Sequence, residues 1–405
     1  MLRHQFYLPT DKIYLCGNSL GPQPRAVVEQ LGTELHSWRK RAVEGWWEGD
    51  TEAGGWLGYH RRVEDDLAAI VGAKPVEVTV ANALTVNLHL LLVSFFRPAG
   101  KRRKILMEAG AFPSDQHAII SQLKFHGLDP AEDLIEVGPR AGEYHIRTED
   151  TVAAIEEAGE ELALVLWSGV HYYTGQFFEL GAIAGAGRSV GAKVGFDLAH
   201  AVGNVPLDLH AWGPDFAIWC CYKYLNGGPG APGGMFVHER HAEDESLPRF
   251  AGWWGHRERD RFQMRREFRP ETGAAGWQVS TVPVLGMASL VASLPLFAEA
   301  GGMSALRRRS LALTGRLYDQ LATIRGLKII TPADPEQRGA QLSVYVPGHR
   351  PELEQQLSAA GLVVDYREDN LGGTDGGVLR LAPAPLYSTE EEVEAAGRLI
   401  AKLLN

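Results

Sequence analysis

The sequence predicts an α/β protein with a three-layer α/β/α large domain around a mostly parallel sheet, plus a smaller α+β domain from the chain termini. Three observations predict this fold class. The length of 405 residues is typical of two to three domains. In the middle of the chain, short apolar runs alternate with longer amphipathic stretches, as in parallel strands joined by crossover helices. After about Pro283 the pattern changes to longer helices followed by strands.

Six apolar runs are the predicted strands of the large sheet. They cover residues 77–80, 104–107, 162–167, 192–196, 216–220 and 235–238. Because ligands of such sheets bind beyond the carboxyl ends of the strands, the polar residues that follow the runs are the first candidates for chemistry. These candidates are Asn82, Thr85, Ser168, Asp197, His200 and Lys223.

The smaller domain is predicted mainly from the last third of the chain. Its predicted helices and strands cover residues 288–299, 303–324, 327–330, 341–346 and 390–404. The N-terminal segment shares this mixture of helix and extended chain. The predicted division is an N-terminal segment, 1–55, associated with the small domain, a large ligand-binding domain, 56–285, and a C-terminal small domain, 286–405.

Composition excludes several classes of protein. Forty basic against fifty acidic side chains give a net charge of −10, which repels nucleic-acid phosphates and anionic lipid headgroups. The three cysteines, Cys16, Cys220 and Cys221, lack metal-ligand spacing and include an adjacent pair that rarely forms a strain-free disulfide. Residues 238–241 lack the histidine spacing of a zinc helix. We therefore expect no nucleic-acid partner, no metal, and a cytoplasmic, reducing location.

The uncharged stretch at residues 78–96 has nearly the length of a membrane helix. It contains Asn82, Asn87 and His89, and its leucines recur at helical steps of three and four residues. This pattern favours a helix packed inside a globular domain. Residues 1–12 have no apolar core of signal-peptide length, so we expect no membrane partner.

Two residues at predicted strand ends carry the main chemical signal. Asp197 follows an apolar run, and a buried carboxylate there needs a cationic partner, such as a protonated ring nitrogen. The alternative is a carboxylate that caps the following helix. Lys223 lies between Tyr222 and Tyr224, and a desolvated lysine has a lowered pKa and can condense with a carbonyl to form a Schiff base. A lysine that extends to solvent is its alternative.

Three further motifs have both a binding and a structural interpretation. The turn at Asn82–Thr85 brings free N–H groups and a helix dipole together, which favours an anion site, although Asn82 could simply cap the helix. The segment 112–115, Phe-Pro-Ser-Asp, presents an aromatic face, a hydroxyl and a carboxylate, or forms a turn. Arg380 is either a bidentate clamp for a substrate carboxylate or an outward-facing strand residue.

Taken together, these residues are typical of pyridoxal-phosphate enzymes of the aspartate aminotransferase fold. Over nearly its whole length the chain resembles the kynureninase family. The resemblance rests on eight ordered blocks: YLCGNSLGPQP, NALTVNLHLLLVSFF, EAGAFPSDQHAI, WSGVHYYTGQ, VGFDLAHAVGN, CCYKYLNGGPG, AGWWGH and LRLAPAPLY.

The resemblance implies a role for each candidate toward pyridoxal 5'-phosphate. Lys223 carries the cofactor as a Schiff base, Asp197 pairs with the protonated pyridine nitrogen, and Tyr222 is the candidate for proton transfer. The remaining residues implied to hold the cofactor from the same subunit are Leu84, Thr85, Phe112, Asp115, Ser168 and His200, with the phosphate as the main target of Leu84, Thr85 and Tyr222.

The resemblance also implies a substrate and a partner. Arg380 binds the substrate α-carboxylate, while Trp253 and Thr281 reach the cofactor phosphate from the neighbouring subunit of a homodimer with shared active sites. The substrate-ring pocket of the family falls near residues 56–60. Some family members have asparagine at the position of Thr281 and favour the ring-hydroxylated substrate, so threonine favours kynurenine itself.

The implied reaction is hydrolysis of the Cβ–Cγ bond of L-kynurenine, with 3-hydroxykynurenine as a second candidate substrate, during tryptophan degradation. The products are anthranilate, or 3-hydroxyanthranilate, and L-alanine. One alternative is a cysteine desulfurase or selenocysteine lyase, which needs a nucleophilic cysteine late in the chain, yet no cysteine follows Cys221. Another is a catalytically silent binding protein of the aminotransferase fold, which the joint presence of Asp197, Lys223 and Arg380 opposes.

Overall fold

The computed structural model describes residues 1–49, 54–348, 350, 352–368 and 376–404. Within these residues the strands are β1 (Phe6–Tyr7), β2 (Ile13–Tyr14), β3 (Gln23–Pro24), β4 (Val78–Ala81), β5 (Lys104–Glu108), β6 (Leu134–Val137), β7 (Leu162–Ser168), β8 (Lys193–Asp197), β9 (Phe216–Cys220), β10 (Gly233–Val237), β11 (Lys328–Ile329), β12 (Leu342–Pro347), β13 (Leu362–Val363), β14 (Asp365–Glu368) and β15 (Gly376–Leu381). The α-helices are α1 (Ala26–Arg41), α2 (Glu64–Val71), α3 (Leu84–Phe95), α4 (Pro113–Phe125), α5 (Pro130–Asp133), α6 (Thr148–Ala158), α7 (Leu180–Ser189), α8 (Leu209–Trp212), α9 (Glu258–Arg261), α10 (Val284–Ser293), α11 (Pro295–Glu299), α12 (Gly302–Ala322), α13 (Leu353–Ala359) and α14 (Glu390–Leu404).

The large sheet confirms the predicted α/β fold class. In the described part of the chain it contains seven strands in the order β4-β10-β9-β8-β7-β5-β6. Strand β10 pairs antiparallel with both of its neighbours, and the other pairs are parallel. All six predicted strands are present, with ends shifted by two residues at most. The edge strand β6 was not predicted, because its half-exposed sequence LIEV lacks a continuous apolar run.

Apolar side chains cover both faces of this sheet. In β9, Ala217 and Trp219 pack into one core, while Phe216 and Ile218 pack into the other. This division follows from the two-residue period of a strand. The second core includes Leu88, Leu91, Leu92 and Phe95 of α3, so the uncharged stretch forms a helix packed inside the protein, as predicted.

Within the described ranges, no single helix is long and apolar enough to cross a membrane. The segments Val284–Glu299 and Gly302–Ala322 meet the length and composition criteria only as a pair, and they are bent by 78° at their junction.

A second, antiparallel sheet of order β11-β12-β15-β14 has its own apolar core, to which α12 and α14 contribute. The predicted helix 390–404 is observed with those bounds, whereas the predicted helix 288–299 is two helices, α10 and α11. The second of them begins at Pro295, which cannot donate a backbone hydrogen bond to a continuous helix. Helix α13 and strands β13 and β14 of this region were not predicted from the sequence.

The N-terminal segment packs against parts of the chain that lie near both sheets. Strand β2 pairs in parallel with β13, and the Leu2 N–H donates to the Leu386 carbonyl at 2.9 Å. Helix α1 packs against α10. The division of the chain at residues 55 and 285 remains a prediction.

Candidate active site

A cavity of about 330 Å³ lies at the carboxyl ends of β4, β5, β7, β8 and β9. Parallel strands that end at one edge bring the residues following them together, although these residues are far apart in the chain. Ten of the predicted site residues line this cavity: Leu84, Thr85, Phe112, Asp115, Ser168, Asp197, His200, Tyr222, Lys223 and Arg380.

Lys223 extends into the cavity just after β9. Its Nζ lies 3.0 Å from Nε2 of His200 and 5.9 Å from the centroid of the Phe112 ring. Burial lowers the pKa of Lys223, so a larger fraction of the amine is neutral at physiological pH than in a solvated lysine. Burial and the Lys223 charge together lower the pKa of His200 well below its usual value, so this imidazole is neutral. A lysine directed to solvent, the alternative interpretation, is therefore wrong.

Three carboxyl groups lie close to one another in the cavity wall. Asp197 ends β8, accepts a hydrogen bond from the Ala199 N–H at 2.7 Å and shares a side-chain hydrogen bond with Asp115. Glu108 ends β5, and its Oε2 accepts from the Ser168 N–H at 3.2 Å. Burial raises the pKa of all three groups, that of Glu108 to about 7. A cationic ring nitrogen beside Asp197 would favour the charged carboxylate.

The start of α3 is free of side-chain caps. The cap residue is Ala83, and Asn82, at φ 43°, donates from Nδ2 to Asn87 Oδ1 at 3.0 Å. The alternative that Asn82 caps the helix is therefore wrong. No side chain of the described residues caps this helix, so its first N–H groups can bind an anion. Gly233 keeps this space open, because a Cβ there would lie 3.1 Å from the Leu84 nitrogen.

Several polar atoms in the cavity wall are buried and have no hydrogen-bond partner among the described residues. They are Asn18 Oδ1, Asp115 Oδ1 and His200 Nδ1. Buried polar groups are usually paired, so these atoms indicate a polar ligand. A flat ring with a basic nitrogen and an anionic group fits this wall, since Asp197 meets the nitrogen's charge, Phe112 offers an aromatic face and the α3 start suits the anion.

Arg380 lies on β15 and is only 3% exposed, so an outward-facing arginine is excluded. Its Nη1 donates to the Tyr172 carbonyl at 2.8 Å. Its Nε and Nη2 donate to the two oxygens of Asp365 at 3.2 and 2.6 Å. The guanidinium thus borders the cavity in a fixed orientation.

Two predicted site residues lie outside the cavity of this single chain. Trp253 is 47% exposed and its ring contacts Trp254 and Phe262, and Thr281 is also exposed. The predicted ring-pocket region, residues 56–60, does not line the cavity either. Instead, Trp56 and Tyr59 donate hydrogen bonds to the buried Glu34 at 2.7 and 2.8 Å.

Sequence reasoning missed several cavity residues: Asn18, Ser19, Glu108, Tyr172, Cys220 and Arg367. Glu108 ends an apolar run, so the rule that selected Asp197 could have found it. Cys220 borders the cavity, but burial raises the pKa of its thiol, the opposite of what a nucleophilic cysteine needs.

Solved structures share this architecture. The apo cysteine desulfurase of Thermococcus onnurineus NA1 has a TM-score of 0.81 at 17% identity, with 100% of this chain and 97% of that chain covered. A mutant of C-DES with glycine covalently linked to its PLP cofactor has a TM-score of 0.80 at 18% identity, with 98% of both chains covered. The chain therefore has the fold of the fold type I class of pyridoxal-phosphate enzymes, with its cavity at the carboxyl ends of the strands.

Sequence relatives narrow this class. The kynureninase of Stenotrophomonas maltophilia (strain K279a) is 52% identical over 97% of this chain and 94% of its own length. That of Flavobacterium johnsoniae is 48% identical over 99% and 94%. The family model "Kynureninase C-terminal domain" matches residues 306–400. The chain belongs to the kynureninase family.

Proposed function

We infer that this chain hydrolyses the Cβ–Cγ bond of L-kynurenine to anthranilate and L-alanine, with pyridoxal 5'-phosphate as cofactor. The observation that carries this inference is the convergence of Lys223, Asp197 and Arg380 on one cavity, in a chain about half identical to curated kynureninases. A cysteine desulfurase activity is not favoured, because the structural likeness to those enzymes is at 17–18% identity and concerns the fold alone.

Different cavity residues would hold different parts of the cofactor. Lys223 would hold it covalently, Asp197 would keep a proton on its ring nitrogen, and Phe112 would stack on the ring. The phosphate would lie against Leu84, Thr85 and Tyr222 at the α3 start, and the remaining contacts fall to Asp115, Ser168 and His200. When bound, pyridoxal phosphate supplies an electron sink for bonds broken next to the substrate's amino-bearing carbon.

The protein's own groups then position the substrate and move protons. Arg380 binds the α-carboxylate, and the Nζ of Lys223, freed when the substrate amino group takes its place, removes the proton from Cα. Water adds to the γ-carbonyl, and cleavage of the Cβ–Cγ bond releases anthranilate. Burial raises the pKa of the Tyr222 hydroxyl, so this group stays protonated and is the donor to Cβ. Return of the proton from Nζ of Lys223 to Cα then completes L-alanine.

An assay with both candidate substrates tests this function. With the cofactor present, purified protein is expected to release anthranilate from L-kynurenine, followed by fluorescence, together with equimolar alanine. Threonine at position 281 supports a higher kcat/KM for kynurenine than for 3-hydroxykynurenine. Absence of cleavage of both compounds by protein with bound cofactor would refute the proposed function.

The proposed setting is a cytoplasmic homodimer that shares its active sites. The described cysteines are all free thiols, which supports a reducing compartment. The exposed ring of Trp253 contacts Phe262, which in turn contacts the exposed Trp47. An exposed aromatic cluster of this kind supports burial against a second subunit. Trp253 and Thr281 would then complete the partner's phosphate site.

Co-expression of two inactive variants tests the shared site. Lys223→Ala and Trp253→Ala should each have less than about a tenth of wild-type activity. A mixed dimer contains one intact site, formed by Lys223 of one subunit and Trp253 of the other, so random pairing should restore about a quarter of the activity. Co-purified mixed dimers no more active than either parent would contradict a shared site.

A further inference from the structure

Asp365 lies between two arginines at the edge of the cavity. Its Oδ2 accepts from Nη2 of Arg380 at 2.6 Å and from Nη2 of Arg367 at 2.9 Å, and its Oδ1 accepts from Nε of Arg380 at 3.2 Å. Both guanidinium-bearing residues line the cavity, whereas Asp365 lies behind them. The carboxylate therefore supports the cavity wall.

Strand pairing explains why Asp365 reaches Arg380 so directly. In the antiparallel pair β14–β15, Asp365 is the cross-strand partner of Arg380, so their side chains project from the same face of the sheet. The carbonyl of Tyr172, which follows β7 of the large sheet, accepts from Nη1 of Arg380 at 2.8 Å. The guanidinium plane is thus held by groups from both sheets.

The Arg380 guanidinium has enough N–H donors to bind a second carboxylate. A guanidinium has five N–H donors, and the contacts to Asp365 and Tyr172 use three of them. Among the described residues, one N–H of Nη1 and one N–H of Nη2 have no partner, and two such donors can bind a carboxylate in the bidentate mode.

The charges at this edge of the cavity favour an incoming anion. The side chains of Arg380 and Asp365 are 4% and 9% exposed, so both charges are shielded from water. Arg367 also donates to Asp365, and its side chain is half exposed. Within the described residues, this hydrogen-bonded group of Arg367, Asp365 and Arg380 carries one net positive charge, which a substrate carboxylate would balance.

We propose that Asp365 is the positioning residue that fixes the guanidinium plane of Arg380 for the substrate α-carboxylate. The proposal rests on the proposed function, in which the ligand of Arg380 is the carboxylate of an amino acid. A merely structural ion pair would affect stability without changing the recognition of that carboxylate.

The variant Asp365→Asn removes the charge and keeps the shape. Relative to wild type, its KM for L-kynurenine should rise at least about tenfold, while kcat changes by less than about threefold. Inhibition by kynuramine, the analogue without the α-carboxylate, should be unchanged. The affinity for pyridoxal phosphate, measured by absorbance titration of the cofactor-free protein, should also be unchanged.

Controls separate positioning from stability and from the proposed function. Asp133→Asn removes another buried carboxylate, which pairs with Arg103 at 2.8 Å, and should lower thermal stability without raising KM. Asp365→Glu keeps the charge and should raise KM less than Asp365→Asn, so it carries the test if the asparagine variant does not fold. An unchanged KM, or equal weakening of kynurenine and kynuramine, would overturn the proposal. Titration of the holoenzyme with L-alanine, followed by cofactor absorbance, reads carboxylate binding even if wild type does not cleave kynurenine.

Discussion

Replacement of Lys223 by alanine is expected to reduce kcat/KM for L-kynurenine by about 10⁴-fold or more. Within the described residues, Lys223 is the lysine that lines the cavity, and its Nζ is directed at His200 rather than at solvent. Burial lowers its pKa, so the amine can act both as a nucleophile and as a base. Alanine removes both capacities.

Borohydride reduction followed by mass spectrometry gives an independent measurement. The wild-type chain should gain the mass of the reduced cofactor on the peptide that contains residue 223, and Lys223→Ala should not. Lys193→Ala is a matched control. Lys193 lies at the amino end of β8, away from the cavity at the carboxyl ends of the strands, and pairs with Asp215 at 3.1 Å. Turnover of kynurenine by Lys223→Ala, or cofactor attachment elsewhere in the chain, would disprove the assignment.

Asp197→Asn should lower kcat by about 10³-fold while leaving the protein folded. An amide of the same shape cannot carry the negative charge that keeps a proton on the ring nitrogen. It also removes one of three neighbouring carboxyl groups whose pKa values burial raises. The cofactor-free variant should therefore unfold at a temperature no lower than the wild type.

Steady-state kinetics and thermal denaturation measure these two effects. The absorption spectrum of the bound cofactor should also change, because the protonation of its ring nitrogen changes. Asp208→Asn, at an exposed position in the chain segment after β8, should alter neither kinetics nor spectrum. Activity of Asp197→Asn within tenfold of wild type would show that the charge is not needed.

Much of the large sheet could be predicted, because the pattern of apolar and polar residues in a short segment indicates the secondary structure of that segment. The run 216–220 is β9 to the residue, since five consecutive apolar side chains are buried on two faces. Asp197 and Lys223 were found by the same argument, because residues after parallel strands must meet at one edge. Arg380 was singled out from its local sequence, but that sequence favoured an outward-facing strand residue, and its role as a carboxylate clamp came from the family resemblance.

The remaining features depend on contacts between distant segments. Asn18 comes from the N-terminal segment, and its Nδ2 reaches Gln341 at 2.9 Å across the fold. No periodicity marks such a residue, because its neighbours in the chain do not determine its partner.

The sequence by itself determined the fold class, the strand ends and the residues that follow them. The reason is that the periodicity of apolar side chains indicates which positions of a single helix or strand are buried. Only the tertiary structure decided that Asp365 faces Arg380, that Glu108 joins Asp197 and Asp115, and that the α3 start lacks a side-chain cap. Strand register and the packing of the two sheets set these contacts, and both depend on the whole chain.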